Sequence, residues 1–307
     1  MGHEFRAGFS TDQFIGWEHL PGRWKLIEES GYDSIWLADH LLPWWTDPGT
    51  RSRKPVPWDE PESDDRDPYL EGWTLLTAAA TMTDRAEVGM LVTDNLLRQP
   101  VLTAKMAVTV DHISGGRAAL GMGAGWMELE HTTYGFPFGT PGERVDRLAE
   151  SLAVIDSLMT NERTTFNGEY VQVQDAPFVP KPVRGKMPVV VAGRGNRMLK
   201  LIARYADVWN SMLTPEEFRE RGIRLNEECE RIGRDPAEIR WSYYGFGEVL
   251  GVDPFSSASA FRQVAEQYLE AGVSELLLEV PHPDLGQDDV IREIGTGILP
   301  ILRGQSS

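Results

Sequence analysis

The chain has 307 residues, 41% of them apolar and 25% charged, a composition that excludes a disordered polypeptide. A formal net charge of −17 excludes general nucleic-acid binding, because phosphates would be repelled. The single cysteine, Cys229, excludes an intrachain disulfide and leaves any zinc site to histidines and carboxylates.

In chain order, Phe5–Phe9 reads as a strand, and Thr11 is placed to cap a helical stretch that runs to Ser30 and stops at Gly31. Ser34–Ala38 is apolar enough for a strand buried on both faces. Trp73–Met82 reads as helix and Glu87–Val92 as strand. A helix starts at Pro100 and runs to His112, terminated by Ser114-Gly115-Gly116. Arg117–Met122 is a strand, and Pro141–Met159 a long amphipathic helix. Met187–Val191 is a strand, Asn196–Tyr205 a helix, Asp207–Ser211 a strand and Pro215–Ile232 a helix. Arg240–Val249 (strand), Ser257–Ala271 (helix), Glu275–Val280 (strand) and a helix from about Asp288 to Leu302 complete the series. Strands alternating with helices argue for a parallel sheet, and eight such units in this length favour an α/β fold closed into a (β/α)8 TIM barrel over a doubly wound, Rossmann-like open sheet. No linker divides the chain, so one domain, 1–307, is expected. Two insertions interrupt it: a loop over about 41–69 rich in Pro, Trp and acids, and 161–186, which reads as a β-hairpin with a Pro-rich connection. Long loops after barrel strands line the catalytic face.

Asp39-His40 ends the second strand. Histidine suits proton transfer near neutral pH, and a neighbouring Asp can orient it or raise its pKa; a purely structural His at a strand end is the alternative. Trp44 and Trp45, with Trp58 in the same loop, offer flat aromatic walls for a planar ligand, or local packing. Gly121-Met122-Gly123-Ala124-Gly125-Trp126 follows the fourth strand, where glycines would let a ligand approach the backbone, but the run is not a dinucleotide fingerprint and no helix clearly follows it. Gly193-Arg194-Gly195-Asn196-Arg197 follows the fifth strand and opens a helix, an arrangement that would hold a phosphate. It lies within Ala176–Ala206, which carries no acid but Lys181, Arg184, Lys186, Arg194, Arg197, Lys200 and Arg204, a basic segment in an acidic chain. A metal hydrolase would need several His or carboxylates at strand ends. Of six histidines only His40 lies clearly at one, so no metal is expected. His112 sits at a helix C-terminus, and His131 and His282 form no ligand pattern. A non-catalytic binding barrel is the remaining class.

GYDSIWLADHLLPW, VGMLVTDNLLRQPVLTAKMAVTVDHISGGRAALGMGAGW and PVVVAGRGNRMLKLIARYADVWN resemble the luciferase-like monooxygenase family, most closely its branch that uses coenzyme F420, a 5-deazaflavin. The resemblance runs from Phe5 to about Asn210, with a weaker echo in GVSELLLEV. It implies that Asp39, His40 and Trp44, matching D-H-x-x-P-W, stand by the reacting ring. It implies a non-proline cis peptide at Met90–Val92 behind that ring, with Met90, Leu91 and Thr93 as cofactor contacts, and Gly193 to Arg197 as the cofactor-phosphate loop. The family's sugar-phosphate dehydrogenases carry an acid directly after G-x-G-x-G. Trp126 stands there instead, with Glu128 and Glu130 beyond, so the pocket of Trp45, Trp126 and Glu128 suits a more apolar small molecule. The expected activity is hydride transfer by a deazaflavin oxidoreductase, the alternative a reduced-FMN monooxygenase; the basic segment favours the longer anionic tail of F420. Family members often dimerise through barrel helices, so a homodimer is expected. No apolar run of about 18 residues predicts a membrane span. Met1–Phe9 lacks a signal core, which makes the cytoplasm the default location.

Overall fold

The computed structural model describes residues 3–11, 13, 15–42, 69–245 and 250–304. Trp44 and Trp45, like Trp58, fall outside them. Among the described residues eight parallel strands close a barrel: β1 (Arg6–Ser10), β2 (Ser34–Leu37), β3 (Glu87–Met90), β5 (Ala118–Gly123), β8 (Val189–Ala192), β9 (Val208–Ser211), β10 (Arg240–Gly245) and β11 (Glu275–Glu279). Each pairs with its neighbour in that order, and β1 pairs with β11 to close the ring. Strand β4 (Thr93–Asp94) continues β3 after a break and pairs with β5. The antiparallel hairpin β6 (Arg163–Asn167) and β7 (Gln172–Pro177) stands apart, as the 161–186 segment predicts. The strands are almost wholly buried because one face meets the helices and the other the barrel interior, hence their continuous apolar runs.

The helices are α1 (Leu20–Glu29), α2 (Gly72–Met82), α3 (Pro100–Ser114), α4 (Glu128–Tyr134), α5 (Pro141–Thr160), α6 (Asn196–Tyr205), α7 (Pro215–Arg231) and α8 (Ala258–Glu270), with α9 (Asp288–Glu293) opening the C-terminal stretch. Capping boxes at Thr140 and Thr214 fix the starts of α5 and α7. Thr11 caps nothing. Helix α1 begins at Leu20 behind His19, and the Thr11 hydroxyl instead accepts a hydrogen bond from Trp24 Nε1 at 3.3 Å and donates to Trp36 O at 3.4 Å. The expected last helix is broken by a π-turn at Ile294–Ile298. Among the described residues no helix is long and apolar enough to cross a membrane.

The interior is layered. At the strands' N-terminal end, Arg6 bridges Glu87 (3.2 Å) and Glu275 (3.1 Å), with Arg240 4.0 Å from Glu275, a charged floor. Above it Trp36, Ala119, Val190, Val208 and Leu277 pack inward with Leu91, Val92 and Tyr244. These last three lie toward the C-terminal ends of the strands, where barrel sites are built.

Candidate active site at the barrel mouth

Strand β3 stops at Met90, and the Leu91–Val92 peptide that follows is cis, as the family resemblance implies. The backbone bulges into the barrel there, and β5 makes room for it. Side chains alternate along a strand, so Ala119 on the inner face places Gly121 and Gly123 there too. A Cβ on Gly121 would lie 1.9 Å from Met90 O and 3.1 Å from Val92 Cγ1, and one on Gly123 2.5 Å from Val92 Cγ2. The glycines therefore admit the protein's own backbone rather than a ligand, a correction to the sequence expectation. The Met90 side chain points away to α2, its Cε 2.5 Å from where a Gly72 Cβ would stand, which leaves Leu91 and Val92 facing the interior. Thr93 is fully buried, and its hydroxyl has no hydrogen-bond partner among the described residues.

Helix α4 follows Trp126 almost at once, where no helix was expected. It turns Glu130 and His131 inward, both fully buried, and leaves Glu128 exposed. Glu128 stays exposed, and it is Glu130 that meets His40. Its Oε1 meets His40 Nδ1 at 2.9 Å, and its Oε2 accepts from Leu41 N at 2.8 Å. The Trp126 ring stands edge-on to His40, centroids 5.3 Å apart at 80°. Burial opposes a charge on His40. The Glu130 hydrogen bond and the charges of Glu130, Asp94 and Asp39 outweigh it and raise the pKa above the ordinary histidine value.

Asp39 does not touch His40 in this arrangement. Adjacent residues at a strand end point to opposite sides, and the Asp39 carboxylate accepts from Arg98 Nη1 (2.6 Å) and Asp94 N (2.9 Å). Burial pushes its pKa up to about 6, against the charge and hydrogen bond of Arg98. Arg98 also reaches Glu71 (3.0 Å), whose carboxylate caps α2 at Trp73 N and Thr74 N. Asp39 thus acts on His40 through the field and through Asp94, as a positioning group. Asp94 accepts from His131 Nε2 (2.9 Å) and Leu96 N (2.8 Å). Asp94, Glu130 and His131 bring ligand-type atoms within 4.8 Å of one another. All four carboxylate oxygens already accept hydrogen bonds from protein donors, so the cluster is satisfied as a network that holds His40. His282 instead serves the turn after β11, accepting from Asp284 N at 3.2 Å.

Across the mouth Tyr244 OH donates to Glu279 Oε1, and Asn210 Nδ2 donates to Ser242 Oγ at 3.0 Å. Neither Tyr244 nor Glu279 was a sequence candidate. The polar Glu279 ending an apolar strand, ELLLE, was the only local sign.

The Gly193–Arg197 turn lies at the same end of the barrel. Helix α6 starts with no side-chain cap, so its first N–H groups face outward, and Arg194 and Lys200 pair with no acid among the described residues. Arg197 is partly spent, bonded to Asp146 and to Gly142 O (3.3 Å), and Asn196 Oδ1 accepts from Arg224 Nη1 at 3.3 Å. The basic segment is not one patch. Lys181 is held by the carbonyls of Leu158 and Asn161 at the far end of α5, Arg184 lies against Gly116 ahead of β5, Lys186 pairs with Asp207 before β9, and Arg204 lies in the last turn of α6. A helix returning along the barrel carries its last turn to the opposite end, so only Arg194, Lys200 and the uncapped turn remain for an anion.

The sequence profile described as luciferase-like monooxygenase matches residues 3–249. The chain belongs to that family. An F420-dependent glucose-6-phosphate dehydrogenase of Microbacterium testaceum is 30% identical over 234 residues, 75% of this chain and 63% of the relative. The fold is shared with an F420-dependent secondary alcohol dehydrogenase (TM-score 0.79, 18% identity, 95% of this chain and 98% of that one). It is shared also with a long-chain alkane monooxygenase (TM-score 0.75, 15% identity, 99% and 92%).

Proposed function

We propose that this family member is a coenzyme F420-dependent oxidoreductase that moves a hydride between the deazaflavin and a small, moderately apolar organic molecule at the barrel mouth. The observation that carries this reading is the buried His40–Glu130 pair beside the Leu91–Val92 bulge. When bound, a deazaflavin supplies hydride chemistry and, with carbon in place of flavin's reactive nitrogen, reacts poorly with oxygen. The rest falls to the chain. Leu91 and Val92 form an apolar wall for a planar ring, and the uncapped start of α6 with Arg194 suits a phosphate on its tail. Nδ1 of His40 is committed to Glu130, so its proton exchange with substrate runs through Nε2. Because Glu130 raises the His40 pKa, the ring keeps that proton to higher pH than a free histidine would. Trp126 shields the pair from water.

A reduced-FMN monooxygenase is the second reading, favoured by the alkane monooxygenase that shares the fold. Titration of both cofactors by tryptophan quenching, followed by anaerobic stopped-flow with reduced deazaflavin and a panel of carbonyl and unsaturated compounds, separates the two. The expected result is tighter F420 than FMN binding and substrate-dependent deazaflavin oxidation without oxygen. Turnover only with reduced FMN and oxygen would overturn the proposal.

A further inference from the structure

The inner wall of the mouth carries a polar pair that the His40 chemistry does not use. Tyr244 is level with Leu277 in the β10–β11 register, and Leu277 belongs to the inward-packed layer. Glu279, two residues on, therefore faces the same interior one step nearer the mouth. Tyr244 OH donates to Glu279 Oε1 and so fixes that carboxylate, while the Tyr244 ring packs with the layer that contains Leu91 and Val92. Apart from the start of α6, where Arg194 and Lys200 stand, the charge around this end of the barrel is mostly acidic. Asp39, Asp94, Glu130 and Glu279 all stand at the ends of strands or on the helix beside them. The Arg98 guanidinium is divided between Asp39 and Glu71, and the His40 ring is held by Glu130. A negatively charged molecule entering there adds to an acidic field, whereas a cation relieves it.

We propose that Glu279, fixed by Tyr244, is the specificity-determining residue of the barrel mouth and selects substrates that carry a protonated amine on an apolar body. The apolar body would lie beside the Tyr244 ring, clear of the Leu91–Val92 wall given to the cofactor ring, and the ammonium would donate to the Glu279 carboxylate. This deepens the oxidoreductase reading and rests on the mouth being the site of turnover.

Three molecules of one shape test it: benzylamine, benzyl alcohol and benzoate. Their dissociation constants are measured by ligand-observed NMR near neutral pH on the wild type, Glu279→Gln and Tyr244→Phe, each alone and with F420 added. The glutamine keeps an oxygen for the Tyr244 hydroxyl, so it removes charge with little change of shape. The wild type should bind benzylamine at least about tenfold tighter than benzoate, with the alcohol between, in line with what one opposite-charge contact gives over one like-charge contact. Glu279→Gln should bring amine and benzoate within about threefold of each other, and Tyr244→Phe should narrow the gap less. A wild type without that order, whether it binds all three alike or none, overturns the proposal, and so does an order that survives Glu279→Gln. A lowered melting temperature with unchanged selectivity would make the pair a strand tie only. The measurement does not depend on which cofactor binds, so failure of F420 to bind would sink the oxidoreductase reading and leave this result standing.

Discussion

Replacing Glu130 by Gln tests the center of the site with almost no change of volume. Leu41 N–H is a fixed donor to Oε2, so the single amide oxygen must turn to it and the NH2 must face His40 Nδ1. Nδ1 can then only accept, which the neutral ring does and the imidazolium cannot. The His40 cation thus loses a buried charge-assisted hydrogen bond of about 1.5–3 kcal/mol, equivalent to roughly 1–2 pKa units. With both Glu130 contributions gone, only the charges of Asp94 and Asp39 still oppose burial, and the pKa should fall from its raised position. The assay is the ring Cε1–H resonance of His40 followed by NMR through the neutral range, alongside urea unfolding at each pH. Because the folded pKa of the wild type is raised, the stability from the charged pair is fully present below the unfolded value of about 6.5 and is lost as pH rises through the folded one. The wild type's advantage over the variant should therefore shrink with rising pH. An unchanged His40 titration, or an advantage that does not shrink, would refute the role given to Glu130.

Two further variants probe the support around it. Gly121→Ala places a methyl 1.9 Å from Met90 O, a backbone atom with little freedom to move, and should cost about 1–3 kcal/mol or more in urea unfolding; a loss within about 0.5 kcal/mol would show that β5 need not yield to the bulge. Arg98→Met leaves the Asp39 carboxylate buried without its cation and should cost about 3–5 kcal/mol above pH 6. Since burial already raises Asp39 to about 6, and more so without Arg98, the cost should fall as pH drops through that value and the carboxyl takes up a proton. A loss independent of pH would mean that Arg98 acts by packing alone.

The barrel was legible because its strands are apolar on both faces and several of its helices open on prolines (α1, α3, α5, α7) or close on glycines (α3, α4), all local signals. The site was legible where a residue's role follows from its place on a strand, as for His40 at the end of β2. Glu130 was not. Its helix has only seven residues, too few for a hydrophobic period to show, and its partner lies 90 positions away. Adjacency misled at Asp39, where the alternation of side chains turns the carboxylate from His40 toward Arg98. Charge counted along the chain misled as well, because α6 carries Arg204 away from the end where it leaves Arg194.

The glycines of β5 and the bulge of β3 are best understood as one device. Gly121 and Gly123 leave no side chains on the inner face where Leu91 and Val92 enter, and without that entry the same positions would leave a void in the barrel. A glycine run after a barrel strand is easily mistaken for a ligand cradle, since both uses need a missing Cβ. What separates them is the atom that fills the space. Here it is Met90 O and the Val92 methyls, so the run shapes the wall on which a planar ring can lie. Around that wall stand two polar pairs, His40 with Glu130 and Tyr244 with Glu279.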